Sequence, residues 1–456
     1  MTPWVRTASA ISWRWSGARE EPWDGARIRT LQSAIPRLPE ASYFCRALGV
    51  EGTMFSQTFR RVARSVGYAC YLLGIVTVSV FLILEAFPGW LLPLMNTDAV
   101  PYYAVKSNYV PHPQLIFVRR TRPLSFMTGG ELHADYSDYA GDEPLWSYTA
   151  TYNEHGFRTN SKPPPHDVLV IGDSFVEIGE RDDRTFSEIV ASTTGMSTFN
   201  AGLGWYGPNH YLRLAKQYAA ALKPKTVVIS IFAGNDLPDI REFERWQQGG
   251  SYYEFADQTA NIVQRFFIAL RQVYDAAIWY VSTSDADDES ERNVGIIRIS
   301  DVDTTMAFSY FDEPTSAADV AKTAEWRSLA QILVRIRDLA SQANARLIVL
   351  VVPTKLQVYG HLSSDRSPDA FKERLPTQLR HESTFSDAFS TLAERLGLEH
   401  IDLRPTFRAL ASRCLLYYPF DTHWNARARR IAAHLIADRI ASDGPRQRHS
   451  SDCPAE

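Results

Sequence analysis

An excess of charge of either sign is missing from this sequence. Lys and Arg number 48 against 52 Asp and Glu, for a net charge of −4, so no basic surplus marks a nucleic-acid binder. Cysteine is scarce too. Cys45, Cys70, Cys414 and Cys453 form no CxxC pair and no metal-ligand spacing. Cys70 falls inside an apolar run, which argues against a four-cysteine disulfide framework. Four unpaired thiols are expected, with a Cys414–Cys453 bridge as the alternative. No internal repeat is present. Residues 1–53 contain no Lys and no sustained hydrophobic period. What the chain does have is 456 residues, 45% of them hydrophobic, enough for one large domain or two ordinary ones.

One long apolar run stands out. Ser65 to Leu84 carries no charged residue; at about 1.5 Å per residue it reaches the ~30 Å of a bilayer core. Arg60, Arg61 and Arg64 precede it, and Trp90 follows as an interfacial anchor. The run predicts a transmembrane helix with the N-terminus in the cytoplasm and everything after about residue 90 outside, by the positive-inside rule. It exceeds the ~7–15 residues of a cleaved signal core, and no clean Ala-x-Ala site follows, so an uncleaved anchor over 54–95 is expected. Met54 opens a short basic stretch that leads into the run. Residues 1–53 then read as a mis-called extension or a disordered tail.

Residues 96–165 are a Pro-, Tyr- and Asn-rich lead-in, ending at Pro163-Pro164-Pro165. After it the pattern becomes α/β. Continuous apolar runs at Val168–Ile171, Thr226–Phe232 and Arg346–Val352 read as strands buried on both faces. Shorter strands are expected at Thr198–Asn200 and His400–Leu403. Helices are expected at Arg184–Thr194, Pro208–Leu222, Ala321–Ala343, 366–397 and Asn425–Ile440. The alternation predicts a parallel sheet covered on both sides. It stops between about 237 and 320, an insertion whose one clear element is a helix over Thr259–Tyr280. The acidic run at 285–289 reads as a solvated loop, and residues 442–456 as a disordered tail.

Three loops follow successive strands. Gly172-Asp173-Ser174-Phe175 follows the first, Asn200-Ala201-Gly202-Leu203-Gly204-Trp205 the second, and Gly234-Asn235-Asp236 the third. In an open parallel sheet these lie at the carboxyl edge, where ligands bind. A serine hydroxyl needs a base. His423 can be that base, with Asp421 to orient it. Oxyanion donors are available from the backbone N–H of Ser174, a backbone N–H between Gly202 and Trp205, and the Asn235 side chain. Each part also has a bland explanation: a helix cap at Gly-Asp-Ser, turn chemistry at Gly-Asn-Asp, a structural histidine beside Trp424. Their conjunction, each at a strand end, points to acyl transfer. No metal or cofactor is required.

These motifs resemble those of the SGNH (GDSL-type) hydrolase superfamily over about residues 166–441, the insertion excepted. The resemblance implies an α/β fold, a flavodoxin-like three-layer α/β/α sandwich. It implies Ser174 as nucleophile, His423 as base, Asp421 as its orienter, and Asn235 with Gly202 or Gly204 as oxyanion donors. Asp421 lies two residues before His423 rather than the usual three. That Asp-x-His-Trp form is similar to a membrane-anchored branch with periplasmic polysaccharide O-acetyltransferases and acetylesterases. Trp205 stands where the oxyanion glycine would align, so the choice of donor between Gly204 and Trp205 is open. Asn153-Glu154-His155-Gly156-Phe157-Arg158 resembles a lead-in of anchored bacterial members, with Arg158 expected to pair at the domain edge and His155 to be structural.

Three functions follow as expectations. The first is an exported, membrane-tethered serine esterase or O-acyltransferase acting on a cell-envelope carbohydrate ester, its domain on the periplasmic side of the inner membrane. The second is a lipid-directed esterase, with the Thr259–Tyr280 helix over an acyl-chain pocket. The third is a non-catalytic envelope binding module. Trp205, Tyr206 and Trp424 are read either as sugar-stacking surfaces or as core.

Overall fold

The computed structural model describes residues 52–87, 108–121, 124–128, 146–158, 165–249, 252, 262–282, 293–308, 317–380 and 384–441. The expectations for residues 1–51, Trp90, Pro163-Pro164, the acidic run at 285–289 and the tail from 442 fall outside these residues. The chain forms two compact units, one of them Ala10–Phe87. Among the described residues of that unit, a helix runs from Gly52 to Ala86. Its segment Arg61–Ile83 is long and apolar enough to cross a membrane. Tyr68, Leu73 and Val76 are among its exposed side chains.

The larger unit opens with two antiparallel pairs. The first joins β1 (Tyr109–His112) to β2 (Ile116–Arg119), and the second joins β3 (Leu124–Thr128) to β4 (Trp146–Ala150). The main sheet contains β5 (Val168–Gly172), β6 (Thr198–Gly202) and β7 (Thr226–Phe232). An antiparallel hairpin follows, β8 (Val294–Ile299) with β9 (Val302–Ala307). The sheet is completed by β10 (Arg346–Val352) and β11 (Glu399–Asp402). Its order is β11-β10-β7-β5-β6, all pairs parallel. Numbered by appearance, that is 2-1-3-4-5, the flavodoxin-like order.

Every residue of β5, β6 and β7 is buried, and alternation sends successive side chains to opposite faces. Leu169, Ile171, Val227, Ile229 and Val349 pack with Leu214 of helix Pro208–Leu222, Leu333 of helix Ala324–Gln342 and Phe389 of helix Thr384–Leu396. Val168, Val170, Val228 and Leu350 pack on the other side, with Val190 of helix Phe186–Thr194, Phe407 of helix Arg404–Ala411 and Ile431 of helix Ala426–Ile440. The result is three layers, helices on both faces of a parallel sheet.

The insertion differs from expectation. Besides a helix at Ile262–Ser282 it holds the helix Asp236–Gln247 and the β8–β9 hairpin. Ser300 and Asp301 both have positive φ, 48° and 65°, the two-residue turn that matches strand twist. The stretch 366–397 divides into two helices, Asp369–Leu379 and Thr384–Leu396. The expectation of four free thiols is corrected. Cys70 is free, but Cys414 is disulfide-bonded.

Candidate active site

Because β5, β6, β7 and β10 run parallel, the loops that leave them open at one edge. β5 ends at Gly172, where a Cβ would lie 2.5 Å from Val176 Cγ2 and 3.0 Å from Ser230 Cβ. Only glycine lets the chain turn this tightly into the short helix Ser174–Glu177. Asp173 caps it, its carboxylate accepting the Phe175 N–H at 2.9 Å. Ser174 is therefore the first helical residue, where the N–H has no intrahelical acceptor. Its side chain is half-buried at the mouth of the sheet.

The loop Phe420–Trp424 reaches the same place from the other end of the chain. His423 Nε2 lies 2.8 Å from Ser174 Oγ, and His423 Nδ1 lies 2.6 Å from Asp421 Oδ1. Asp421 Oδ1 also accepts the His423 backbone N–H at 2.8 Å, so the two-residue spacing closes a tight turn around one carboxylate oxygen. Burial would raise the Asp421 carboxyl, but the charge of His423, its two hydrogen bonds and the Lys355 ammonium hold it below its ordinary value. Trp424 is fully buried and donates through Nε1 to Phe175 O at 2.9 Å. Asn425 caps the following helix, accepting from Arg427 N and Ala428 N. The loop is thus fixed on both sides of His423.

The second and third loops answer the question of oxyanion donors unevenly. The Gly202 N–H donates to Asn200 Oδ1 at 2.9 Å and the Gly204 N–H to Glu177 Oε2 at 2.6 Å. Each N–H has one proton, and in this structure both are taken within the protein. Asn235 behaves differently. It stands at the N-cap of helix Asp236–Gln247 yet makes no side-chain cap bond, and its Oδ1 is buried with no partner. Asparagine at an N-cap ordinarily accepts from the helix through this oxygen; here it does not, and the oxygen, an acceptor, is not the atom that would meet an oxyanion.

Glu177 is a charged group that reading the sequence missed. It is buried and accepts Arg119 Nε at 2.8 Å and Tyr152 OH at 2.6 Å. Both partners come from the lead-in. Burial would raise its carboxyl, but the charge and hydrogen bond of Arg119, with those of Tyr152 and Gly204, hold it below its ordinary range. Arg158, expected at the domain edge, bonds Asp182 Oδ1 at 2.8 Å and the Gly179 carbonyl at 2.9 Å. His155 is exposed and 3.6 Å from Glu154, away from the Ser174 hydrogen bonds.

Other buried charges surround the site. Burial pushes the Asp173 carboxyl up to about 7, against the pull of the Phe175 N–H and His423. Burial, with Asp173 and Asp239 nearby, raises Asp236 well above its ordinary value. Lys355, just past β10, is buried and donates to Ala307 O at 2.7 Å and Pro419 O at 2.8 Å. It ties the hairpin to the Asp421 loop. Glu180 bonds Tyr418 and Arg429, joining the Ser174 loop to the last helix. Tyr206 and Trp424 are both fully buried, Tyr206 stacked on His210 at 4.3 Å. Of the two readings these aromatics had, core is the one that holds. No group of three or more metal-ligating side chains is present among the described residues.

A family model described as an SGNH hydrolase-like domain, acetyltransferase AlgX, matches residues 310–453. That span contains the Asp421–His423 turn. Over those residues the chain is similar to that SGNH hydrolase-like domain. It is similar in structure to the psychrotrophic esterase EstA from Pseudoalteromonas sp., with 10% identity, 60% of this chain and 96% of that one covered, and a TM-score of 0.30. It is likewise similar to the acetyl xylan esterase AlAXEase (14% identity, 60% and 98% covered, TM-score 0.30) and a lipase/acylhydrolase from Enterococcus faecalis (11%, 62% and 98%, TM-score 0.29). No curated protein sequence matches. The arrangement of Ser174, His423 and Asp421 suits the chemistry of a serine hydrolase, ester hydrolysis or acyl transfer.

Proposed function

We propose that the protein is an exported, membrane-tethered serine esterase or O-acyltransferase that acts on a carbohydrate ester of the cell envelope. The observation that carries this reading is the hydrogen-bonded chain from Ser174 Oγ through His423 to Asp421, at 2.8 and 2.6 Å. Ser174 Oγ attacks the acyl carbonyl while His423 Nε2 takes its proton. The negative oxygen that forms is met by the Ser174 N–H and the Asn235 amide. Collapse breaks the bond to the leaving alcohol, which takes the proton back from His423 and leaves an acyl ester on Ser174. Water or a second sugar hydroxyl then gives its proton to His423, attacks that ester and frees the serine.

Three observations support the finer parts. The apolar helix with arginines on its N-terminal side supports a tether with the domain outside. The disulfide at Cys414 supports an oxidising compartment. The match to a model of an acetyltransferase domain supports an acetyl ester as the group handled. One feature favours the lipid-directed alternative: Val263, Phe267, Leu270 and Tyr274, on helix Ile262–Ser282, are exposed.

The test uses the full-length protein in detergent, with p-nitrophenyl acetate and a fluorophosphonate probe. Turnover and labelling should disappear in Ser174→Ala and in His423→Ala. Folded wild type that neither labels nor turns over would remove the hydrolase reading. A strong preference for p-nitrophenyl octanoate over acetate would move the lipid-directed reading ahead.

A further inference from the structure

Trp205 breaks a local rule beside the site. It follows Gly204, and a Cβ built on Gly204 would lie 3.6 Å from Cβ of Ser174. The Trp205 backbone has φ +68°, a conformation glycine adopts freely and a bulky side chain rarely does. The surrounding bonds over-determine it. Trp205 O accepts the Tyr252 hydroxyl at 2.5 Å, and Tyr206 N donates to Leu203 O at 3.1 Å. Tyr206 is fixed in turn by its hydroxyl, which donates to Phe117 O at 2.6 Å. On the other side the Gly204 N–H is held by Glu177 at 2.6 Å.

Trp205 is also 40% exposed, whereas Tyr206 and Trp424 are fully buried. Of these three aromatics, Trp205 is the one a ligand can reach. Non-glycine residues held in sparse backbone regions cluster at ligand-contacting sites. The C–H face of a pyranose is apolar, its edge polar. A planar indole covers the first and leaves the second to water and to protein donors.

We infer that the Trp205 indole is a stacking platform for a sugar ring, which positions a carbohydrate ester, or an acceptor sugar, over Ser174. The inference deepens the carbohydrate reading above and rests on it. It also gives Trp205, rather than Tyr206 or Trp424, the role of choosing sugars over simple esters.

The experiment compares wild type, Trp205→Gly and Trp205→Phe in the full-length protein. Glycine suits the backbone conformation, so Trp205→Gly removes the ring while leaving the loop able to fold. The probes are glucose pentaacetate and p-nitrophenyl acetate. The ratio of kcat/KM for the sugar ester to that for p-nitrophenyl acetate should fall about tenfold or more in Trp205→Gly and largely recover in Trp205→Phe. A second readout does not need turnover: calorimetric binding of glucose pentaacetate to Ser174→Ala protein should weaken about tenfold when Trp205→Gly is added. An unchanged ratio, or no binding of the sugar ester to Ser174→Ala protein, overturns the platform even where p-nitrophenyl acetate is hydrolysed. Trp205-dependent binding without turnover in the wild type keeps the platform and removes the esterase. A gain in Trp205→Gly specific to p-nitrophenyl octanoate would make the ring a wall against acyl chains, and would also overturn the proposal.

Discussion

The Glu177 carboxylate accepts the Gly204 N–H at 2.6 Å while the Arg119 guanidinium approaches its other oxygen at 2.8 Å. One buried side chain thereby joins the lead-in, the nucleophile helix and the second loop. Glu177 is also the last residue of the helix that Ser174 begins, so a shift of its carboxylate is felt at the serine.

Replacing Glu177 by Ala removes the carboxylate facing a buried arginine. Breaking a buried pair from one side costs about 3–5 kcal/mol. The urea midpoint of Glu177→Ala should fall accordingly with an unchanged slope. Glu177→Gln keeps an acceptor for the Gly204 N–H and should lose less. Equal midpoints for wild type and Glu177→Ala would show that the contact contributes nothing.

Asn235 caps nothing in its helix, so its replacement separates chemistry from folding. Asn235→Ala should lower kcat by about 10²–10³, the usual loss for one oxyanion donor. The melting temperature should stay close to that of the wild type. Retained kcat would remove Asn235 from the site, and a large fall in melting temperature would make its role structural.

Asp173 and Asp421 give stability opposite pH dependences. The unfolded carboxyl titrates near 3.9, whereas burial holds folded Asp173 protonated up to about 7. Between about pH 4 and 7 the folded state keeps a proton that the unfolded state has lost, so stability falls as pH rises through that window. Asp173→Asn should flatten the fall. Asp421, held below its ordinary value, contributes above the unfolded pKa and is lost as pH drops through its folded value, a more acidic window. Denaturation midpoints across pH 4–8 for wild type and Asp173→Asn read the difference, and parallel curves would refute it.

Much of the site was legible in the sequence because its parts sit at the ends of uniformly apolar strands. Val168–Gly172 can be read locally, and so can the turn formed by Asp421 and His423. Alternating strands and helices point to a parallel sheet covered on both faces, whereas the flavodoxin-like arrangement rested on the family resemblance and not on that alternation. Buried charge was not legible. Glu177 and Arg119 are 58 residues apart, and each alone looks like a surface residue. Lys355 likewise reads as an ordinary helix start until Pro419 and Ala307 are placed around it. The hairpin at Val294–Ala307 was missed although Ser300-Asp301 sits between two alternating stretches. Exposure and a positive φ distinguish Trp205 from Tyr206 and Trp424, and no local sequence pattern carries either.

The hydrogen bond from Trp424 Nε1 to Phe175 O spans 249 residues, as does the contact between His423 and Ser174. On a ribosome the serine and its strand emerge early and the histidine arrives only after the whole sheet has been made. Throughout synthesis the hydroxyl has no base beside it. A chain released before His423 has neither the base nor the clasp that holds its loop. Its reactivity is therefore a property that only the completed domain acquires.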